Sequence, residues 1–285
     1  MAVPGNPCAG DAVPGNPEDF LLIAGPCVIE KRESTLRIAE EIERMTRDLP
    51  VRTVFKASYL KANRAHPESY TGPGIDEGLS ILREVKEKIG LPVLSDVHCR
   101  TEVGKASEIL DIIQIPAYLC RQTPLILEAA RTGKAVNIKK GQFMSPEAME
   151  GAVKKARGAG NDRLILTERG TFFGYRDLVV DFRSIGIMKR WGFPVLFDGT
   201  HSVQRPGQGG NTSGGNPEFI YPLCRAAVAV GCDGLYLEVH PRPERALSDA
   251  DSMLPLGQLL PLLEEVLRLR EALAARGPSI PRSER

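Results

Sequence analysis

The 285-residue sequence has almost no charge excess: 37 basic against 36 acidic residues leave +1 at neutral pH. That removes the electrostatic ground for a nucleic-acid partner, although a local basic pocket remains compatible with it. No run reaches the ~18 apolar residues a membrane helix needs, so no membrane partner is expected. Tryptophan occurs once and histidine four times. The N-terminus shows neither an apolar signal core nor an Arg-rich amphipathic leader. With no secretion signal, the six cysteines at 8, 27, 99, 120, 224 and 232 do not read as a disulfide framework, and a reducing, cytoplasmic location is expected.

Residues 1–19 repeat AVPGNP at 2–7 and 12–17. Proline and glycine at this density read as a flexible extension without catalytic meaning, and residues 276–285 as a C-terminal tail. The chain between, 20–275, is long enough for one α/β barrel.

Short apolar runs rich in β-branched residues start near 20, 51, 91, 111, 135, 163, 194 and 234. They alternate with amphipathic segments over 33–47, 75–88, 101–109, 123–132, 145–158, 184–190, 218–230 and 256–275, the repeat of a parallel sheet. Ser145, Pro146 and Glu147 are a helix-start signature. Lys56, Asp96, His98, Gln114, Lys139, Arg169, Asp198, His201 and Glu238 all fall at or near strand ends. An open sheet would scatter the outer ones, whereas a closed (β/α)8 TIM barrel gathers every strand end into one bowl, and that is the predicted fold. Any one of these charges could be an ordinary loop residue; their number, with histidines at two strand ends, favours a catalytic bowl.

The bases Lys56, Arg64, Lys139 and Arg169 suit anionic groups, at least one of them a phosphate. A distant set, Cys27, His201, Glu238 and Asp249, offers a thiolate, an imidazole and two carboxylates for Zn²⁺, Fe²⁺, Mn²⁺ or Co²⁺. Its spacing matches no local metal motif, and Asp96, His98, Cys99 and His240 are rival ligands. Cys120, Cys224 and Cys232 read as small buried hydrophobes. The stretch 59–74 is too long for a simple turn and reads as a functional loop, and the Gly-rich 205–215 reads as a flexible loop or lid over the bowl.

The strings AGPCVIE (24–30), FKAS…KANR (55–64), IIQIPAYLCRQT (112–123), VNIKKGQF (136–143), TERGTFFGYRDLVVDFRS (167–184), DGTHSVQRPG (198–207) and AVAVGCDGLYLEVHPRPERALSDA (227–250) closely resemble the 3-deoxy-D-manno-octulosonate 8-phosphate synthases. The likeness runs from about 20 to 275. It implies a (β/α)8 barrel, usually a homotetramer, that condenses phosphoenolpyruvate with D-arabinose 5-phosphate and releases phosphate. It further implies that Lys139 and Arg169 hold phosphoenolpyruvate, with Lys56, Gln114 and the backbone at Ala117 nearby. Asn63 and Arg64 would face the sugar phosphate, with Lys61 and Asp198 among the substrate contacts, and Arg121 would reach a neighbouring subunit's site. The family divides at the residue after the first strand, and Cys27 resembles the metal-dependent branch, with Cys27, His201, Glu238 and Asp249 as ligands to one divalent ion. Lys56, Asp96, His98, Lys139 and Asp249 are the candidate catalytic groups, the last together with Asp96 and His98 for proton handling.

The chain departs from the family pattern at Leu60, Ala65, His66, Thr71 and Cys99, which removes polar contacts to the sugar phosphate; His66 is a candidate replacement anion contact. Two other readings are therefore kept beside the first: a 3-deoxy-D-arabino-heptulosonate 7-phosphate synthase using erythrose 4-phosphate, which KANR opposes, and a catalytically silent barrel that binds phosphosugars.

Overall fold

The structure is a computed structural model that describes residues 19–275, apart from 65, 173, 175, 176, 210 and 211. The expected N-terminal extension, except Asp19, the C-terminal tail, Cys8 and Ala65 lie outside the described residues.

Eight parallel strands close into a barrel: β1 (Phe20–Gly25), β2 (Val51–Lys56), β3 (Val93–Asp96), β4 (Ile112–Ile115), β5 (Ala135–Lys139), β6 (Leu164–Glu168), β7 (Val195–Asp198) and β8 (Gly234–His240). They pair in sequence order, and β8 returns to β1 with Leu22 opposite Leu235 and Gly25 opposite Glu238. Eight helices follow the strands: α1 (Arg32–Thr46), α2 (Ile75–Glu84), α3 (Arg100–Ser107), α4 (Thr123–Arg131), α5 (Glu150–Gly158), α6 (Arg183–Lys189), α7 (Ile220–Val230) and α8 (Leu259–Ala274). The expected (β/α)8 barrel is what the chain forms. Among the described residues no helix is long and apolar enough to cross a membrane.

Strand alternation separates two cores. Phe20, Leu22 and Ala24 pack outward against the helices, while Leu21 and Ile23 point into the barrel with Val54, Leu94, Ile112, Ala135, Ile165, Leu196 and Tyr236. Those inward residues make an apolar floor. Two residues further along the same strands, the inward positions become polar: Lys56, Asp96, Gln114, Asn137, Thr167, Asp198 and Glu238, all buried. The period of two thus converts a sequence pattern into a polar layer directly above the floor.

The opposite end of the barrel is closed by carboxylates that cap strands. Asp111 Oδ2 accepts the Val93 amide at 2.9 Å and its Oδ1 takes Lys86 at 2.6 Å; Asp233 does the same for Val195 and Lys189. At the other end Gly25 lets β1 approach β2, because a Cβ there would stand 2.0 Å from the Lys56 carbonyl oxygen.

Differences from expectation are local. The helix at 75–88 ends in a π-helical turn, Val85–Ile89. Ser145 Oγ does accept the Ala148 amide, at 3.3 Å. The Gly-rich segment is not an irregular loop: Gln204–Gly209 and Thr212–Gly215 pair as an antiparallel hairpin, with Gln204 opposite Gly215. Pairing satisfies backbone groups that a bare loop would leave to water.

Candidate active site

A cavity of about 470 Å³ opens above the polar layer. Lys139 and Arg169 stand on its wall with Gln142; Lys61 and Asn63 enter from the 59–74 loop; Asp96, His98, Gln114 and Ala117 come from the β3 and β4 ends; His201, Glu238 and Asp249 complete it. The structure therefore brings together eleven of the residues singled out above. Cys27, Lys56 and Asp198 lie behind this wall, each at most 1% exposed.

His201 is oriented from behind. Asp198 Oδ1 accepts the Thr200 and His201 amides at 3.0 and 2.8 Å, and its Oδ2 faces His201 Nδ1 at 2.7 Å. A carboxylate at that distance assigns the ring hydrogen to Nδ1, so Nε2 presents its lone pair forward. Nε2 lies 3.6 Å from Glu238 Oε1 and 3.9 Å from Asp249 Oδ2. Burial pushes the Asp198 carboxyl up, but His201, Lys139 and Arg169 outweigh it and hold it well below the usual carboxylate range. Lys139 is bonded to the same Asp198 oxygen, and its Nζ lies 3.2 Å from His201 Nδ1. Its ammonium also sits 3.7 Å over the Tyr236 ring centroid. Burial lowers the Lys139 and Arg169 pKa values from their ordinary positions.

Cys27, Glu238 and Asp249 form the group of donor atoms within 4.8 Å of one another among the described residues. The Cys27 thiol donates to Asp249 Oδ2 at 3.0 Å and lies 2.9 Å from Ser248 Oγ. Asp249 adopts φ 48°, the one non-glycine residue with positive φ among those described. Its Oδ1 accepts Gln204 Nε2 at 3.1 Å, a link from the hairpin that the sequence did not disclose. Glu238 Oε1 accepts Lys56 Nζ at 2.5 Å, while Oε2 is buried with no partner. Lys56 also donates to the Cys27 carbonyl at 2.7 Å, so it anchors the donor set from beneath and does not line the cavity. An orphaned carboxylate oxygen beside a thiol, an imidazole and a second carboxylate fits a divalent cation.

The rival ligands do not converge there. His98 faces Glu102 at 3.4 Å, Cys99 is exposed at the start of α3 and contacts Thr101, and His240 turns to the Arg242 carbonyl and toward Glu30. Asp96 is engaged by Ser58 and Gln114. Burial raises its pKa, but Lys61 and Lys56 outweigh that and hold the carboxyl well below its usual range. Burial, with Asp249 and Glu238 nearby, pushes the Cys27 thiol well up.

Two expected contacts stand apart from the cavity wall. Arg64 donates to the carbonyls of Tyr70 and Leu247, at 2.9 and 3.0 Å. Arg121 is exposed, and its carbonyl accepts Lys155 Nζ at 3.0 Å. His66 is exposed as well. Arg169 Nη1 and Gln142 Oε1 are buried without partners, and Arg169 Nη2 donates to Gln204 Oε1 at 2.8 Å.

A family described as the DAHP synthetase I family matches residues 6–275. A 2-dehydro-3-deoxyphosphooctonate aldolase of Geobacter metallireducens is 54% identical over 257 residues, covering 90% of this chain and 94% of that one. A protein of the same name from Desulfatibacillum aliphaticivorans is 54% identical over 253 residues, 89% of this chain and 93% of the relative. Another, from Desulfotalea psychrophila, is 48% identical over 266 residues, 93% and 95% of the two chains.

Proposed function

The chain belongs to the DAHP synthetase I family, and from that premise we propose that it condenses phosphoenolpyruvate with D-arabinose 5-phosphate and water, giving 3-deoxy-D-manno-octulosonate 8-phosphate and inorganic phosphate. It is a transferase. Full-length relatives named for the eight-carbon product support that product over the seven-carbon alternative. The observation that carries the reading is one cavity shared by Lys139 and Arg169, by Lys61 and Asn63, and by the donor set around Glu238.

In this reading Lys139 and Arg169 clamp the carboxylate and phosphate of phosphoenolpyruvate, the unpartnered Arg169 Nη1 making one of the contacts. Lys61 and Asn63 hold the sugar phosphate from the cavity wall, and Arg64 joins them on exchanging the Tyr70 and Leu247 carbonyls for it. Clamping two polyanions in one cavity brings carbon 3 of phosphoenolpyruvate against the aldehyde carbon, which supplies proximity and charge neutralisation together. The new carbon–carbon bond takes the enol π electrons, and the aldehyde oxygen takes a proton. Water adds to carbon 2 and gives up a proton, so the two transfers balance. The carbon-2 hydroxyl then becomes the ketone as the carbon–oxygen bond to the phosphate breaks, and the departing phosphate takes the bonding pair and the hydroxyl proton. Asp249 and His98, both on the cavity wall, are the groups that would pass these protons. Asp96, held as a carboxylate, serves as an acceptor.

Cys27, His201, Glu238 and Asp249 would hold one divalent ion, Zn²⁺, Fe²⁺, Mn²⁺ or Co²⁺. When bound, it supplies a concentrated positive charge that polarises a carbonyl or acidifies water. A homotetramer in which Arg121 completes a neighbour's site, and a cytoplasmic location, complete the proposal. The five described cysteines, all free thiols, support a reducing compartment.

The test is phosphate release from phosphoenolpyruvate with arabinose 5-phosphate and with erythrose 4-phosphate, using metal-stripped and reloaded protein. Metal-dependent turnover with the five-carbon sugar is expected. Preference for the four-carbon sugar would replace the substrate, full turnover in stripped protein would remove the metal, and no turnover with either sugar in loaded, folded protein would leave the silent barrel.

A further inference from the structure

The polar layer contains a hydrogen-bonded row that crosses β6, β5, β4 and β3 and ends just past β2. The Thr167 hydroxyl donates to Asn137 Oδ1 at 2.7 Å, and the Asn137 amide donates to Gln114 Oε1 at 2.8 Å. The Gln114 amide donates to Asp96 Oδ1. From the other side the Ser58 hydroxyl donates to Asp96 Oδ2 at 2.5 Å, and Lys61 Nζ donates to Ser58 Oγ at 3.3 Å. Sheet register makes the row possible, since Asp96 is opposite Gln114 and Gln114 opposite Asn137. Thr167, Asn137 and Ser58 are fully buried, so solvent does not compete for these bonds.

Every donor in the row points toward Asp96. A carboxylate can only accept, and that fixes the sense of each amide in turn. Reversing Gln114 would set its carbonyl oxygen against the carboxylate; reversing Asn137 alone would set two amide oxygens together. Three residues of the row, Gln114, Asp96 and Lys61, reach the cavity, whereas Thr167 and Asn137 do not line it.

Resting on the condensation reading above, we propose that Thr167 and Asn137 are positioning residues that hold Gln114 as a donor beside phosphoenolpyruvate and Asp96 as an acceptor toward the sugar. The second N–H of Gln114 and the remaining lone pairs of Asp96 then present one fixed donor–acceptor order to the two substrates where they meet. Lys139 and Arg169 clamp phosphoenolpyruvate from outside the row, so the row sets how the two substrates face each other and leaves the charge that binds phosphoenolpyruvate in place.

The test compares Thr167→Val, Thr167→Ser and Asn137→Asp with the unmodified, metal-loaded protein. Phosphate release by the unmodified protein tests the condensation reading; the variants, measured against it, test the row. Thr167→Val keeps the shape and removes the terminal donor, and kcat with arabinose 5-phosphate is expected to fall about 10-fold to 100-fold. KM for phosphoenolpyruvate is expected to stay within about two-fold, and Thr167→Ser is expected to recover most of the activity. Asn137→Asp puts a carboxylate where an amide must donate, at unchanged volume. Its new carboxyl faces Thr167 and Gln114, with Asp96 one strand beyond and Lys56, Lys61 and His98 around Asp96. Protonation restores a donor toward Gln114, so the activity of this variant relative to the unmodified protein is expected to rise as pH falls from about 8 to about 6. Unchanged kcat in Thr167→Val, equal loss in Thr167→Ser, or a flat pH ratio in Asn137→Asp would overturn the assignment.

Discussion

Asp198 Oδ2 stands 2.7 Å from His201 Nδ1, on the side of the ring away from Glu238 and Asp249. One carboxylate therefore serves both halves of the site, since the same oxygen bonds Lys139. Asp198→Asn is expected to lower metal affinity by roughly 10-fold to 100-fold while the protein stays folded. Metal titration against a competing chelator, beside a circular dichroism spectrum, checks this; unchanged affinity would mean the ring needs no such support.

Metal uptake should also depend on pH. Burial and the neighbouring carboxylates push the Cys27 thiol well up, so the metal-free protein carries it protonated across neutral pH. Binding then releases that proton, and affinity is expected to rise about ten-fold per pH unit for this group. Titrations at pH 6, 7 and 8 measure the slope, and Cys27→Ala should flatten it as affinity falls.

Arg169 offers a planar fork with one buried, unpartnered nitrogen. Arg169→Lys keeps the charge and loses the fork, so kcat/KM for phosphoenolpyruvate is expected to drop about 10-fold or more. Steady-state kinetics with each substrate varied in turn would show whether the loss falls on phosphoenolpyruvate; a loss confined to the sugar would reverse the assigned ends of the cavity.

Asp96, Asp198 and Glu238 are held below the usual carboxylate range, so each binds its proton later in the folded chain than in the unfolded one. Their contribution to stability is complete above the unfolded values, near pH ~4, and is lost as pH falls further toward the folded values. Denaturant unfolding of the metal-free protein should show no stability change from these groups between pH 7 and 5 and a steep loss below about 4. Asp96→Asn should make that acid loss shallower.

At the far end of the barrel, Asp111 serves stability alone. It accepts the Val93 amide and a lysine, remote from the β3 end that carries Asp96. Asp111→Ala is expected to cost about 1–3 kcal/mol by leaving the amide unpaired. Both KM values should be unchanged, which kinetics and thermal melts on one preparation can compare.

Much of this architecture is written locally. Alternation along FLLIAG or VNIK already separates the inward from the outward face, and the polar residue closing each strand already points to one end of the barrel. Lys139, Arg169, His201 and Glu238 were legible for that reason, because a charge after an apolar run needs no partner to be noticed. Asn137 and Thr167 carried a weaker signal: Asn137 lies two residues before Lys139 on the same strand and face, and Thr167 two before Arg169, which follows the end of β6. A neutral side chain inside a strand, Gln114 included, shows which group it bonds only when its neighbour on the next strand is known. The hairpin at 204–215 was hidden for a related reason, since its bonds join backbone groups.

The sequence by itself determined the βα repeat and the set of residues delivered to strand ends, because periods of two and 3.6 are properties of the local chain. Tertiary structure alone decided which donors meet. Cys27 and Asp249 are 222 positions apart and come together only because β8 closes on β1. The same closure leaves His98, Cys99 and His240 facing other partners. Closure is a pairing of distant strands, and no local pattern encodes which distant side chains it will place within bonding distance.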